Sequence, residues 1–509
     1  MNLSQKVAFN TTVLLASRVV VAASGLAGVA VSTRYLGPAE FGQLTVAIVF
    51  VSVFGFFTDA GLYTVAAREL AKHPEDERRL LANVFSMGLV LTAATVVVAL
   101  LVMAVVYGGS GDDLVRTGVV ILVVQMLASP LGGAASAYLI AHQRAGPMAF
   151  AATFSSLVFI GGLFAVIELD LGFAGLAACF AASGVISLLL PFAVVRGVRL
   201  RWARDPAVWR QMLRWAIPQA GVLVLSVIYF RLDTFLLSFL SSDAEVGLYG
   251  VAYRVLEVLI VVPVYLMTTL FPEVARQRPH AARLNEIVQG AFSSVVLAGV
   301  PLVIIFAAFA EEIVAVAGGP RYADASPVLR VLVVAVAILF VNTVFFQSLV
   351  ALNRQRNLFM LLLAVLVGNV ALNLVLIPPL GAMGAALALV ATEAAALGLV
   401  LRTFVGVGTV PRLRRPARLI CAALGTAAVV LALREVIPLV RPDEMSSASF
   451  TAAIGPLATL AGASVLTVGL WAGSLMLLDA VPPELRAALA ALRQRSSSEP
   501  VAVPPPVGG

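Results

Sequence analysis

The chain has 509 residues, 61% hydrophobic and 12% charged, with a net charge of +7. Soluble domains carry about a quarter charged residues, so this composition excludes an ordinary soluble protein and identifies a polytopic membrane protein. The basic excess is distributed topologically, as shown next, and does not point to nucleic acid.

A membrane span needs about 20 predominantly apolar residues. Fourteen stretches meet that rule: 10–33, 41–66, 84–107, 115–141, 147–168, 172–195, 213–239, 246–271, 289–317, 326–351, 357–377, 381–404, 416–438 and 452–479. The N-terminal M-N-L-S-Q-K leads into a first helix read as retained, not as a cleaved signal peptide. Two breaks are tight, at Leu171-Gly172 and at Pro378-Pro379-Leu380-Gly381, where Gly and Pro stop helices. Lys and Arg concentrate in alternate loops, around residues 6, 68–79, 144, 196–214, 276–283, 354–356, 402–418 and 486–495. The opposite loops hold far fewer. By the positive-inside rule both termini are expected in the cytoplasm, with the chain in the cell inner (plasma) membrane. The tail from Val481 ends V-P-P-P-V-G-G and is expected to be largely disordered.

An internal repeat is visible. Ala39–Ala47 (A-E-F-G-Q-L-T-V-A) echoes Ala244–Ala252 (A-E-V-G-L-Y-G-V-A) at an offset of 205. L-G-F-A-G at 171–175 echoes L-G-A-M-G at 380–384 at an offset of 209. Helices 1–6 therefore read as duplicated in helices 7–12, both copies having the same orientation, about an axis along the membrane normal. The expected organisation is all-α: an N-lobe over 1–200, a C-lobe over 201–405, two further helices over 406–480 and a cytoplasmic tail over 481–509.

Charges within spans single out candidate functional residues, because a charge at mid-bilayer costs about 2.5–3.5 kcal/mol on insertion scales. Arg18, Asp59, Arg231, Asp233, Arg254, Glu257 and Glu393 all lie inside predicted helices. Arg18, Arg231 and Arg254 offer planar forks suited to phosphate oxygens. Asp59, Asp233, Glu257 and Glu393 would balance them or bind a coupling proton or sodium ion. Bland readings stand beside these. Arg254 and Glu257, three residues apart, can neutralise each other. Arg18 and Asp59 can be a structural pair between helices 1 and 2, and Asp233 can be solvated near the outer mouth. Tyr229, Tyr249 and Tyr253 flank the charged hairpin as sugar contacts, Tyr253 foremost, or as membrane-belt residues. Asn342, Asn369 and Asn373 suit interhelical hydrogen bonds. The charges are not copied by the repeat: the offset of 205 places Leu26 opposite Arg231, Val49 opposite Arg254 and Ser52 opposite Glu257.

Several chemistries lack their residues. There is no G-x-x-x-x-G-K-[ST] phosphate loop and no H-E-x-x-H motif. The two cysteines, Cys179 and Cys421, sit in apolar segments, and the three histidines lie in predicted loops without forming a cluster. No enzyme activity, metal or cofactor is expected. A membrane glycan polymerase or ligase would need a large external loop, and the longest here, about 439–451, is short.

Certain stretches resemble the oligosaccharide (polysaccharide-unit) flippases, the Wzx-like group of the MOP exporter superfamily. They are R-Y-L-G-P-A-E-F-G (34–42), T-D-A-G-L (58–62), A-R-E-L-A (67–71), R-L-D (231–233), A-E-V-G-L-Y-G-V-A-Y-R-V-L-E (244–257), L-F-P-E-V-A-R (270–276) and N-L-V-L-I-P-P-L-G-A-M-G-A-A (373–386). The resemblance implies two six-helix bundles plus two helices, a central cationic cavity, and alternating-access transfer of an undecaprenyl-pyrophosphate-linked glycan to the outer leaflet. It also implies that helices 1, 2, 7 and 8 face the cavity, matching Arg18, Asp59, Arg231 and Arg254. The related lipid II flippases and multidrug exporters are alternatives. An exporter of cationic drugs would want an acidic cavity, against which the three arginines argue.

Overall fold

The computed structural model describes residues 3–109, 112–144, 146–194, 200–279, 281–407, 411–413, 415–436, 454–482 and 486. These form sixteen α-helices and no strand. In order they are α1 (Leu3–Leu36), α2 (Pro38–Asp59), α3 (Leu62–Lys72), α4 (Glu77–Val106), α5 (Asp113–Leu127), α6 (Ser129–Ala141), α7 (Gly146–Glu168), α8 (Gly172–Val194), α9 (Pro206–Leu240), α10 (Asp243–Ala275), α11 (Ala282–Ala308), α12 (Ala310–Gly318), α13 (Ala325–Ala351), α14 (Gln355–Val405), α15 (Pro416–Val436) and α16 (Ile454–Leu477). Among the described residues ten helices are long and apolar enough to cross a membrane, or eleven if α5 and α6, bent by 42°, make one span. The 51-residue α14 enters that number once, although two expected spans lie on it. The expected tail and the 439–451 loop lie almost wholly outside the described residues.

Three expected spans are interrupted, two where the backbone leaves helical geometry and one at a bend. The stretch 41–66 divides into α2 and α3 at Ala60 (φ 44°) and Gly61 (φ 74°). Asp59 Oδ1 then accepts the Tyr63 N–H at 3.1 Å, satisfying a donor that the new helix start exposes. The stretch 115–141 bends at Ala128, with Pro130 in the first turn of α6, where its missing N–H costs nothing. The stretch 289–317 breaks at Phe309. The tight turns fall where Gly was expected to allow them: Gly172 has φ 62° and Gly381 φ 54°, a region glycine enters freely. These two glycines also occupy corresponding places in the second echo.

The first echo is a contact. α2 and α10 cross so closely that a Cβ on Gly42 would collide with the carbonyl oxygen of Asp243. A Cβ on Gly247 would collide in turn with that of Pro38. Both pairs obey the offset of 205, so the crossing is reciprocal. Gln43 Nε2 donates to Asp243 Oδ2 at 2.7 Å beside it. Nearby, Arg34 Nη2 donates to the carbonyls of Ala315 (3.1 Å) and Val316 (2.9 Å), and Thr33 Oγ1 to that of Ala317 (2.9 Å). These bonds tie the end of α1 to α12.

At the opposite end α9 is shared. Its first turns, with Val208, Met212 and Ala216, join the apolar cluster of α3 and α4 around Leu62, Val65, Leu81 and Met87. Farther along, Leu225, Tyr229 and Leu237 enter the main core with α10, α13 and α14. The chain entering α9 is held by hydrogen bonds to α4: Ala203 N–H to Ser86 Oγ (2.8 Å), and Asp205 N–H and Trp209 Nε1 to Asn83 Oδ1 (2.8 and 3.1 Å). The boundary expected at 200/201 is thus bridged by side-chain contacts.

Candidate substrate cleft and buried carboxylates

Side chains two apart on a helix point about 200° apart, so Arg231 and Asp233 leave α9 on opposite faces. Arg231 turns toward α10. Its Nη1 lies 2.7 Å from Glu257 Oε1. Arg254 Nη1 lies 2.6 Å from the other oxygen, Glu257 Oε2. One carboxylate therefore holds two guanidinium groups, leaving the trio one positive charge in excess. All three side chains are about a quarter to a third exposed (26%, 33% and 23%). They face a narrow void of about 30 Å³ between α9 and α10 on one side and α1, α2 and α8 on the other. The far wall includes Val29, Phe41, Ile48 and Val49. That volume admits a water-sized group, so the cleft is nearly shut.

The pairing of Arg254 with Glu257 is as the neutralising reading expected, but Glu257 also takes Arg231, which spacing along one helix did not reveal. Tyr253 lines the same void, yet its hydroxyl donates to the Phe230 carbonyl at 2.7 Å. The hydroxyl is thus already engaged within the protein.

Asp233 corrects an expectation. It is 2% exposed and is not solvated at an outer mouth. The face opposite Arg231 looks into the helical core, where Asn373 Nδ2 (2.8 Å) and Tyr249 OH (3.1 Å) donate to its carboxylate. Glu393, also 2% exposed, accepts from Tyr229 OH (2.7 Å) and Asn342 Nδ2 (2.6 Å). Tyr229 and Asp233 lie one turn apart on α9, so both carboxylates hang on the same stretch of helix behind the arginine pair. Asn369 Oδ1 accepts from Asn373 at 3.0 Å, extending the network. Tyr229 and Tyr249 are committed to carboxylates and are not available to sugars. The three asparagines make the interhelical bonds their type suggested. The buried Oδ1 atoms of Asn342 and Asn373 have no hydrogen-bond partner among the described residues. Buried charge is tolerated when paired and hydrogen-bonded, and both carboxylates have donors but, among the described residues, no cation partner.

Asp59 ends α2 and accepts the Tyr63 N–H of α3, and the Arg18 side chain lies outside the described residues, so their expected pairing does too.

The comparisons with known proteins agree with this architecture. The family described as "Polysaccharide biosynthesis protein" matches residues 7–278, more than half of the chain. "Probable low-salt glycan biosynthesis flippase Agl15" of Haloferax volcanii is 25% identical over 162 residues, and "Probable flippase AglR" of the same organism 29% over 166. Each alignment covers 31% of this chain and 34% of the relative, so the chain matches about a third of the length of these curated relatives. Among solved structures, "Lipid II flippase MurJ, inward closed conformation" superposes with a TM-score of 0.73 at 13% identity, covering 91% of this chain and 99% of that one. An inward-facing multidrug resistance MATE family transporter of the MOP superfamily gives 0.63 at 16% identity, covering 76% and 94%. The fold is therefore that of the MurJ and MATE transporters.

Proposed function

Because the chain belongs to the polysaccharide biosynthesis protein family, we propose that it is a flippase moving an undecaprenyl-pyrophosphate-linked oligosaccharide from the inner to the outer leaflet by alternating access. It acts as a transporter and not as an enzyme. The observation that carries this reading is the arrangement of Arg231 and Arg254 around Glu257 on the cleft wall. Two guanidinium forks bridged by one carboxylate already bind an anion supplied by the protein itself; a diphosphate carries more negative charge and more oxygens, and displaces it. The flippase names of the two archaeal relatives support the same reading.

In this account fourteen helices cross the inner membrane with both termini cytoplasmic. The lobes, 1–200 and 201–405, rock about the cleft, and the α2–α10 crossing closes its outer end. Arg18 and Asp59 answer the arginine pair from the first lobe. Asp233 and Glu393 are the coupling groups: each is a buried carboxylate with hydrogen-bond donors and, among the described residues, no counter-cation, able to take up a proton or a sodium ion. Glycan polymers assembled outside the membrane then depend on this step for their repeat units.

The test is deletion of the gene followed by lipid extraction. Lipid-linked repeat units accumulating on the cytoplasmic leaflet support the proposal, and their normal appearance outside overturns it.

A further inference from the structure

α15 and α16 run antiparallel, and between them an apolar groove of about 570 Å³ opens outward. Its walls include Val429 on α15 and Val465, Leu466 and Leu477 on α16. From Val465 to Leu477 the groove extends about 18 Å at 1.5 Å per residue, comparable with one leaflet of a hydrocarbon core about 30 Å thick.

The groove ends at charge. Asp479, two residues beyond Leu477, is bonded by Arg415, Arg418 and Arg486. One carboxylate among three guanidinium groups leaves two positive charges in excess. All four side chains are about half exposed, between 45% and 50%. Arg418 precedes Gly425 and Val429 by seven and eleven residues, which places it on the same face of α15 as the groove wall. An apolar channel of one-leaflet length thus leads to a cationic cluster at its mouth.

We propose that this groove and its arginines form a binding site for an anionic glycerophospholipid of the inner leaflet, its acyl chain along α15 and α16 and its phosphate on Arg415, Arg418 and Arg486. Charge complementarity selects the occupant. A zwitterionic headgroup brings an ammonium to the same cations, whereas phosphatidylglycerol brings a net negative charge, and basic pockets between helices at the cytoplasmic face favour such headgroups. The site takes from the proposed function only the membrane orientation, and it is separate from the cleft at Arg231.

The test is native mass spectrometry of the full chain, purified with an equimolar mixture of phosphatidylglycerol and phosphatidylcholine. The expected result is about tenfold or greater preference for phosphatidylglycerol, lost in an R415A/R418A/R486A variant. Gly469→Leu, whose added atoms enter the groove from a position where a Cβ meets nothing within 4 Å, lowers retention of both lipids while leaving the fold intact. Arg231→Ala leaves the preference unchanged, so failure of the flippase reading and failure of this site are separable. Equal retention of the two lipids, an unchanged preference in the triple variant, or displacement of phosphatidylglycerol by equimolar undecaprenyl phosphate overturns the proposal.

Discussion

Gly42 and Gly247 meet at one helix crossing in reciprocal positions, each leaving room for the backbone carbonyl of the residue four before the other. Helix interiors disfavour glycine by about 1 kcal/mol relative to alanine, and here the close approach of two backbones explains its use. Replacing Gly247 by Leu forces α2 and α10 apart at the end proposed to seal the cleft. In a background lacking Cys179 and Cys421, a cysteine at Thr45, on the cleft wall, is expected to react with a membrane-impermeant maleimide about tenfold faster when Gly247→Leu is present. Unchanged labelling would mean that the crossing does not seal that end.

Glu257 lies between two arginines on the same wall of the cleft and pairs with both. Glu257→Gln removes the resident anion and leaves both guanidinium groups to the ligand. Binding of a lipid diphosphate to the purified protein is expected to tighten by about tenfold while export slows, since release becomes harder. Weaker binding would show that Glu257 organises the site instead of competing for it.

Asp233 and Glu393 call for substitutions that keep shape and remove charge. Asp233→Asn and Glu393→Gln are expected to leave a folded protein in the membrane and to abolish export. Asn373→Ala, by contrast, strips a donor from a buried carboxylate and is expected to cost about 1–3 kcal/mol of stability, measurable by unfolding in mixed micelles.

Asp205 caps α9 through the N–H groups of Ala207 and Val208 and pairs with Arg79. The Arg79 hydrogen bond, followed by that from Ala207, holds its carboxyl below the ordinary carboxylate range. A depressed folded value means that its stabilisation is complete above about pH 4, the unfolded value, and is lost as pH falls through the lower one. The thermal midpoint of Asp205→Asn is therefore expected to lie below that of the parent by a constant amount between about pH 5 and 8, above the ordinary carboxylate value. The gap closes toward pH 3, roughly one unit below it. A gap that widens on acidification would contradict the assignment.

The helical character and the positions of the intramembrane charges were readable from composition and spacing, and so was the divergence of Arg231 from Asp233. Their partners were not. Glu257 binds Arg231 across two helices, and Asn373 reaches Asp233 from 140 residues away; such pairings depend on packing that periodicity along one helix does not encode. The break at Asp59-Ala60-Gly61 was hidden by the apolar residues flanking it, although Asp before Gly is a helix-start and turn signal. The reciprocal glycine contact was present as an echo of letters, but its meaning depended on the two helices crossing.

Arg231 and Arg254 are proposed to bind the diphosphate of the translocated lipid. The most direct test is the surface glycan of cells whose only copy carries Arg231→Ala or Arg254→Ala, with the protein's membrane level measured alongside. Loss of surface glycan at normal protein level is expected, with poor rescue by Lys, which has no planar fork. Normal glycan display in both variants would contradict it.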